Sequence, residues 1–289
     1  RGCVEEVLRS ADLAIDRGRT YGDWSRDSNG TAQRVFIDVD PAFTQMEMEA
    51  KIAAGKPAPE YDHYYTVGLN IGTDRSTAPV AGKRWRTTYN PVAVDLFPGG
   101  PSAPDAPFTT VMNWQSYESI DYGGKTYGQK DVEFRKFMDL PGLAGSPLEV
   151  AVGGETAPRG ELRENGWRIE SAQTVTLSVD SYLDYIRASR GEFSVCKNVY
   201  VATNSGWFSD RSAAYLASGR PVVMQETGFS SHLPCGRGLF AVRDAEEAAA
   251  AMGEINGNYD RHSGWARDIA AEYLDTRVVL GKMLRELGV

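Results

Sequence analysis

The chain is predicted to be a two-domain α/β protein whose second half carries a parallel sheet with helices on both faces. Three observations predict this. Between residues 108 and 255 short apolar runs alternate with helical patterns at least five times, which is the rhythm of a parallel sheet wrapped by crossover helices. The run PGGPSAPDAP at 98–107 is the best linker candidate in the chain. A length of 289 residues suits two domains better than one.

Taken in order, Val4 to Leu8 with Ala11 carry a short helical pattern and Asp12 to Ile15 read as a strand. Arg34 to Pro41 alternates Val35, Ile37 and Val39 and stops at a proline, a half-buried strand with Asp38 and Asp40 near its carboxyl end. Phe43 to Ala54 is helical in composition, and Tyr61 to Ile71 reads as a strand entering a turn. Residues 73–107 are rich in Pro, Gly and Ser, with Trp85 and Val92 to Phe97 as islands of order. After the linker, Phe108 to Trp114 is a strand, followed by a long loop holding Trp114, Tyr117 and Gly123-Gly124 that suits a substrate lid or a surface decoration. A helix follows with Phe134, Phe137 and Met138 on one side. Leu148 to Val152 and Trp167 to Ile169 are strands around a helix at 158–166, and Ser178 caps the next helix. Then comes a strand at Gly191, a polar loop, a helix capped by Ser209, the buried strand Pro221 to Met224 and a second polar loop. Leu239 to Val242 is a strand, DAEEAAAAMGEI a helix with acids in its first turn, and the tail from Tyr259 one or two more helices.

A formal net charge of -8 with no basic block argues against nucleic acid as a partner. Three scattered cysteines without CxxC spacing suit a reduced, cytoplasmic setting better than a disulfide scaffold. No apolar run approaches the ~18 residues of a membrane span. The chain opens on Arg1 in what reads as the middle of a domain, so residues are expected to be missing upstream.

Tyr215-Leu-Ala-Ser-Gly219-Arg-Pro221-Val-Val, the loop Glu226-Thr-Gly-Phe229, and Gly238-Leu-Phe-Ala-Val with its DAEEA helix occur in an order and spacing that resemble the donor-binding half of GT-B glycosyltransferases. The likeness is greatest to group 1 and CgeB-like members, and Gly128-Gln-Lys130 resembles the lysine segment after that half's first strand. The resemblance covers roughly 108–275. It implies a GT-B type fold, two Rossmann-like domains with parallel sheets facing a cleft: 1–107 on the acceptor side and incomplete at its start, 108–275 for a nucleotide sugar, and 276–289 a helix that packs back on the first domain. Two departures stand out. Ala214 occupies the place of the family's glutamate, and Asn113-Trp114 the place of an arginine often found after the first strand.

The implied activity is transfer of a hexose from a nucleotide-diphosphate sugar to an acceptor hydroxyl, without cofactor or metal. A sugar-nucleotide epimerase and a non-catalytic nucleotide-sugar binder are the alternatives. Such a transfer needs a neutralised leaving diphosphate, an oriented acceptor and usually a base. Lys130, Lys197 and Arg211 are the diphosphate candidates. Arg211 lies in a first helical turn, where the dipole disfavours a cation and a nearby anion would supply the reason. Ser205, Gly206 and Trp207 form a loop facing that helix, with Gly206 allowing close approach of a ligand. Glu226, Thr227, Gly228 and Phe229 form the loop at a strand's carboxyl end, the ligand edge of such sheets. His63 and Asp40 are the candidate bases on the acceptor side, while His262 is expected on the surface. Asp38-Val-Asp40 is formally a metal doublet, but it precedes proline at a strand end in the domain opposite the donor.

Overall fold

The computed structural model describes residues 10–18, 33–56 and 60–289. The helix expected at Val4 to Leu8 lies outside them.

The first sheet is β1 (Leu13–Arg17), β2 (Gln33–Asp38), β3 (His63–Thr66) and β4 (Trp85–Thr87), all parallel and in that spatial order. Helix α1 (Phe43–Ala53) buries Phe43, Gln45, Met46 and Met48. Strand β3 ends sooner than the sequence pattern suggests, because the chain turns at Gly68, whose missing Cβ would lie 2.5 Å from Pro41.

The second half opens with β5 (Phe108–Asn113), whose residues are buried until Asn113. That continuous burial is expected of a strand covered on both faces. The stretch after it is not a plain loop but an antiparallel hairpin, β6 (Ile120–Tyr122) and β7 (Lys125–Tyr127), turning at Gly123 and Gly124, both with positive φ. Helices α2 (Lys130–Phe134) and α3 (Leu140–Leu143) lead to β8 (Leu148–Gly153), and α4 (Arg159–Glu164) to β9 (Arg168–Ser171). After α5 (Ala172–Val175), α6 (Val179–Ala188) runs back to β10 (Gly191–Ser194). Then α7 (Asn198–Ala202) and α8 (Asp210–Ala217) precede β11 (Val222–Gln225) and β12 (Leu239–Val242). The spatial order is β12-β11-β10-β5-β8-β9, all parallel.

This order contains one reversal. From β5 the chain steps outward through β8 and β9, then returns to β10 on the other side of β5. Helices therefore leave β5 and β10 toward opposite faces and open a crevice at their carboxyl ends, the place where open α/β sheets bind ligands.

One face of this sheet is sealed by Phe108, Phe134, Phe137, Trp167, Phe193 and Met252. The other forms a core that is continuous with the first half, joining Tyr215, Met224 and Phe229 to Phe43, Met46, Val67 and Val92. The tail completes the join. After α9 (Ala245–Gly257) and α10 (Tyr259–Ile269), a π-helical turn at Ala270–Leu274 brings α11 (Thr276–Leu287) onto the first sheet. Met283 and Leu287 pack there on Val35 and Tyr65, and the Tyr65 hydroxyl donates to Glu286 at 2.9 Å. His262 is buried rather than on the surface, because its Nδ1 accepts the Gly238 N–H at 3.1 Å and its ring meets Phe240 and Trp265. The candidate linker at 98–107 has no regular element before Phe108, yet it is held: buried Arg220 donates to the carbonyls of Gly100 and Pro101 at 2.8 and 3.1 Å.

The two halves are also joined backbone to backbone. Asn70 N–H donates to Ser205 O at 3.0 Å, Leu69 N–H to Gly206 O at 3.4 Å and Thr77 N–H to Thr203 O at 3.1 Å. Gly206 has φ +76°, and a Cβ there would sit 2.7 Å from the Asn70 amide nitrogen. Gly206→Ala is therefore expected to lower unfolding free energy by about 2–3 kcal/mol, from left-handed strain plus the clash. A urea titration of both proteins measures it.

Candidate functional site

The crevice between β5 and β10 holds a cavity of about 560 Å³ lined by Val111, Thr176, Ser178, Val179, Tyr182 and Arg211. Its size falls in the range of small-molecule sites. A second cavity, about 380 Å³, shares Arg211 and Tyr182 with the first and is bounded also by Pro91 to Ala93, Phe97, Asp210 and Ala214. Arg211 is thus a wall shared by both.

Two elements fix that guanidinium. It leaves the first turn of α8 and lies over β10, where Nε donates to Glu192 at 2.6 Å and Nη2 to Ser194 Oγ at 2.6 Å. Burial opposes the charge on Arg211, but Glu192 outweighs it and holds the group fully protonated. Nη1 has no partner among the described residues and remains available to a ligand. Glu192 is itself fully buried, and its second oxygen has no hydrogen-bond partner among the described residues. The sequence gives Arg211 no structural reason to sit at a helix start; the structure supplies one in Glu192. The signal was a lone charge, Glu192, in the strand segment GEFSV.

Lys130, at the start of α2, belongs to the same crevice. Its ammonium makes no hydrogen bond or ion pair with any described residue. Burial, then repulsion from Arg211 and Lys197, pushes its pKa down to about 7. Lys197 follows β10 and is half-buried, with a pKa lowered by burial against the opposing pull of Asp40. Its Nζ bonds Asp40 at 3.0 and 3.1 Å across the two halves. Lys130 is near enough to feel the charges of both Arg211 and Lys197, so the structure brings the three candidate cations into one neighbourhood.

The candidate bases are placed differently from expectation. His63 stands at the amino end of β3, in register with Val35, whereas the cleft lies at the carboxyl ends beyond Asp38. There it bonds Gln33 at 3.1 Å, turned away from the crevice. Asp40 does reach the cleft, but Lys197 and the phenols of Tyr117 and Tyr200 occupy both its oxygens. In this structure the Asp40 carboxylate bridges the two halves. Asp38 is buried beneath it and accepts from Gln45 at 2.9 Å and Thr66 at 2.7 Å. That inward turn removes it from any doublet with Asp40. Among the described residues no group of three or more His, Cys, Asp or Glu is placed to hold a metal ion.

The two polar loops are also corrected. Ser205, Gly206 and Trp207 are buried at the seam with residues 68–70, so the glycine accommodates the neighbouring chain rather than a ligand. Gly228 does the same, since a Cβ there would lie 2.3 Å from Asn70 Nδ2. Its N–H is taken by the Glu226 carboxylate, which folds back on its own loop. Thr227 is buried and donates to Trp207 O at 2.6 Å, and Phe229 packs in the core against Phe208. Ser209 does begin α8, but its hydroxyl makes no capping bond and is buried without a partner; Asp210 Oδ1 accepts the Arg211 N–H at 2.9 Å instead.

No family model and no curated protein matches the chain. Solved structures do. TarM superposes with a TM-score of 0.60 at 9% identity over 94% of this chain and 54% of its own, so this chain spans about half the length of TarM. HepE of Anabaena in complex with UDP-glucose gives 0.60 at 14% identity over 99% of this chain and 81% of its own. An α-glucosyltransferase in complex with UDP-glucose and DNA containing an abasic site gives 0.61 at 9% identity over 99% and 82%. The fold is that of the GT-B glycosyltransferases, with parallel sheets in Rossmann-like halves. No helix among the described residues is long and apolar enough to cross a membrane.

Arg211→Ala is expected to cost about 3–5 kcal/mol of stability, because it leaves Glu192 buried and unpaired. Combining Arg211→Met with Glu192→Leu should recover most of it, as apolar replacement of a whole buried pair generally does. Denaturant midpoints of the single and double variants check this, and they separate the arginine's structural part from any ligand effect.

Proposed function

We propose that the protein is a glycosyltransferase that moves a hexose from a nucleotide-diphosphate sugar to an acceptor hydroxyl, with its donor diphosphate in the crevice between β5 and β10. One observation carries this reading: Lys130, a cation with no counter-ion among the described residues, stands beside Arg211 and Lys197 at the reversal point of a parallel sheet. Cations gathered in a buried place repel one another, and an anionic ligand removes that cost.

In this reading the nucleoside occupies the larger cavity, whose walls Val111, Val179 and Tyr182 suit the faces of a flat base. The diphosphate lies along the free edge of Arg211 and meets Lys130. As the bond to the sugar breaks, negative charge grows on the leaving phosphate, and fixed cations in a poorly hydrated site stabilise that charge most strongly. We assign the role that a divalent metal often plays to these side chains. The segment at 214–223 supports a place near the group 1 and CgeB-like members, though Ala214 removes the glutamate they share. Free Cys196 and Cys235 are in keeping with a reduced cytoplasmic setting. The acceptor approaches from the first sheet, where Asp40 ties Lys197 to the carboxyl end of β2.

Calorimetry with UDP-glucose tests the reading without demanding an acceptor. Lys130→Met should weaken binding by about 1–3 kcal/mol, the range for hydrogen bonds to charged groups, while leaving the unfolding midpoint unchanged or higher. Equal affinity of the two proteins sinks the assignment.

Lys130 also sets a pH dependence. In the free protein it titrates near 7, and a bound phosphate raises that value. Above pH 7 binding must therefore include proton uptake, so affinity for UDP-glucose falls as pH rises from 7 to 9, and Lys130→Met flattens the slope. The sign for folding is opposite. Unfolded Lys130 keeps its ordinary pKa, so between about 7 and 10 the unfolded state holds more protons and the wild type gains stability with rising pH relative to the variant.

A further inference from the structure

The donor reading accounts for the larger cavity and for one edge of Arg211, but not for the adjoining cavity of about 380 Å³ that Arg211 also lines. The geometry points to this second cavity as the binding site for the transferred hexose, with Asp210 as the residue that reads its hydroxyls. The inference rests on the donor reading and deepens it.

Four features of the cavity carry it. The two cavities meet at Arg211 and Tyr182, which line both. A diphosphate held at that arginine has a nucleoside on one side and a sugar on the other, so the second cavity receives whichever group the first does not. The second cavity differs in chemistry. To the shared Tyr182 it adds a carboxylate, Asp210, a second aromatic side chain, Phe97, and Pro91. A carboxylate accepts the hydroxyls of a diol and aromatic faces pack on the C–H faces of a pyranose. Asp210 is available for this: it is exposed, one oxygen takes the Arg211 N–H at 2.9 Å, and the other has no partner among the described residues.

Ala214 supplies the room. It lies one turn after Asp210 on the same face of α8 and lines the same cavity, so a longer side chain at 214 would occupy the space that Asp210 faces. Position agrees with chemistry as well. Pro91 to Ala93 come off β4, the last strand of the first sheet, so the cavity opens beside the half from which the acceptor arrives. The transferred group has to lie on that side.

Calorimetry with two probes, UDP and UDP-glucose, tests the assignment. Asp210→Asn is expected to leave UDP binding unchanged or tighter, because a negative charge near the diphosphate is removed. It is expected to weaken UDP-glucose binding about ten- to a hundredfold, the equivalent of losing hydrogen bonds to a charged group. Ala214→Met, which plugs the cavity without touching charge, should likewise spare UDP and exclude UDP-glucose. Equal losses for both probes in Asp210→Asn would assign Asp210 to the ribose and overturn the inference. Unaltered UDP-glucose binding in both variants also overturns it. Failure of the unmodified protein to bind either probe is a different result, which overturns the donor reading itself.

Discussion

The carboxyl edge of the second sheet depends on one buried ion pair. Glu192 on β10 and Arg211 on α8 lie 2.6 Å apart with the carboxylate wholly shielded from water. Taking two such charges out of water costs several kcal/mol each, and their mutual attraction seldom returns more than that. An apolar pair of similar volume would hold β10 to α8 at least as well. The ion pair instead provides direction. With Nε and Nη2 fixed on the strand below, the guanidinium is held in place with Nη1 left without a partner among the described residues. Reversal of the strand order places the crevice there, and the pair equips it.

A second constraint is the seam between the halves. Main-chain bonds from Leu69, Asn70 and Thr77 to residues 203–206, and from Val92 and Thr276 to one another's strands of chain, join the halves through groups that must be satisfied when buried. The core runs through the same join. Gly206 and Gly228 permit the contact, one at φ +76° and the other at φ +97°. A cleft built on such a seam is pre-formed, with the carboxyl ends of β2 and β10 held close enough for Asp40 to reach Lys197.

These two constraints explain what the sequence disclosed and what it did not. The alternation of apolar runs and helical patterns marked β5, β8, β10, β11 and β12, because strands covered on both faces are written as continuous apolar segments. Ser178 was legible as a cap because its partner, Ser181, is local. Ser209 was not, because its backbone capping role is absent and its neighbour Asp210 takes over. Gly206 and Gly228 illustrate a deeper limit. A glycine signals close approach, but the signal is the same for a ligand and for a distant stretch of the same chain. The segment at 68–70 is more than 130 positions away from Ser205 in sequence, and nothing near Gly206 names it. His262 was misread for the same reason: its charged helical neighbours describe the outer face of α10, while its partner Gly238 belongs to another element. The hairpin at 120–127 was legible in principle, since Ile120, Tyr122, Thr126 and Tyr127 are strand formers flanking a Gly-Gly turn, but each strand is only three residues long and passes for loop.

The charges at the crevice can be weighed against each other. Lys130, Lys197 and Arg211 bring three positive groups to one edge, and Glu192 and Asp40 answer two of them. Each answered cation is also anchored, Arg211 to its own sheet and Lys197 to the opposite half. Lys130 is the one left without an anchor, and its depressed pKa expresses the cost of that position. Desolvation and repulsion both act against a half-buried lysine with no partner among the described residues, and an apolar residue there would avoid both costs. Under the proposed function, an anion bound beside the two fixed cations would offset that cost. The proposed dianionic ligand is compatible with a net charge of -8, because the field that would act on it is the local one set by these three side chains.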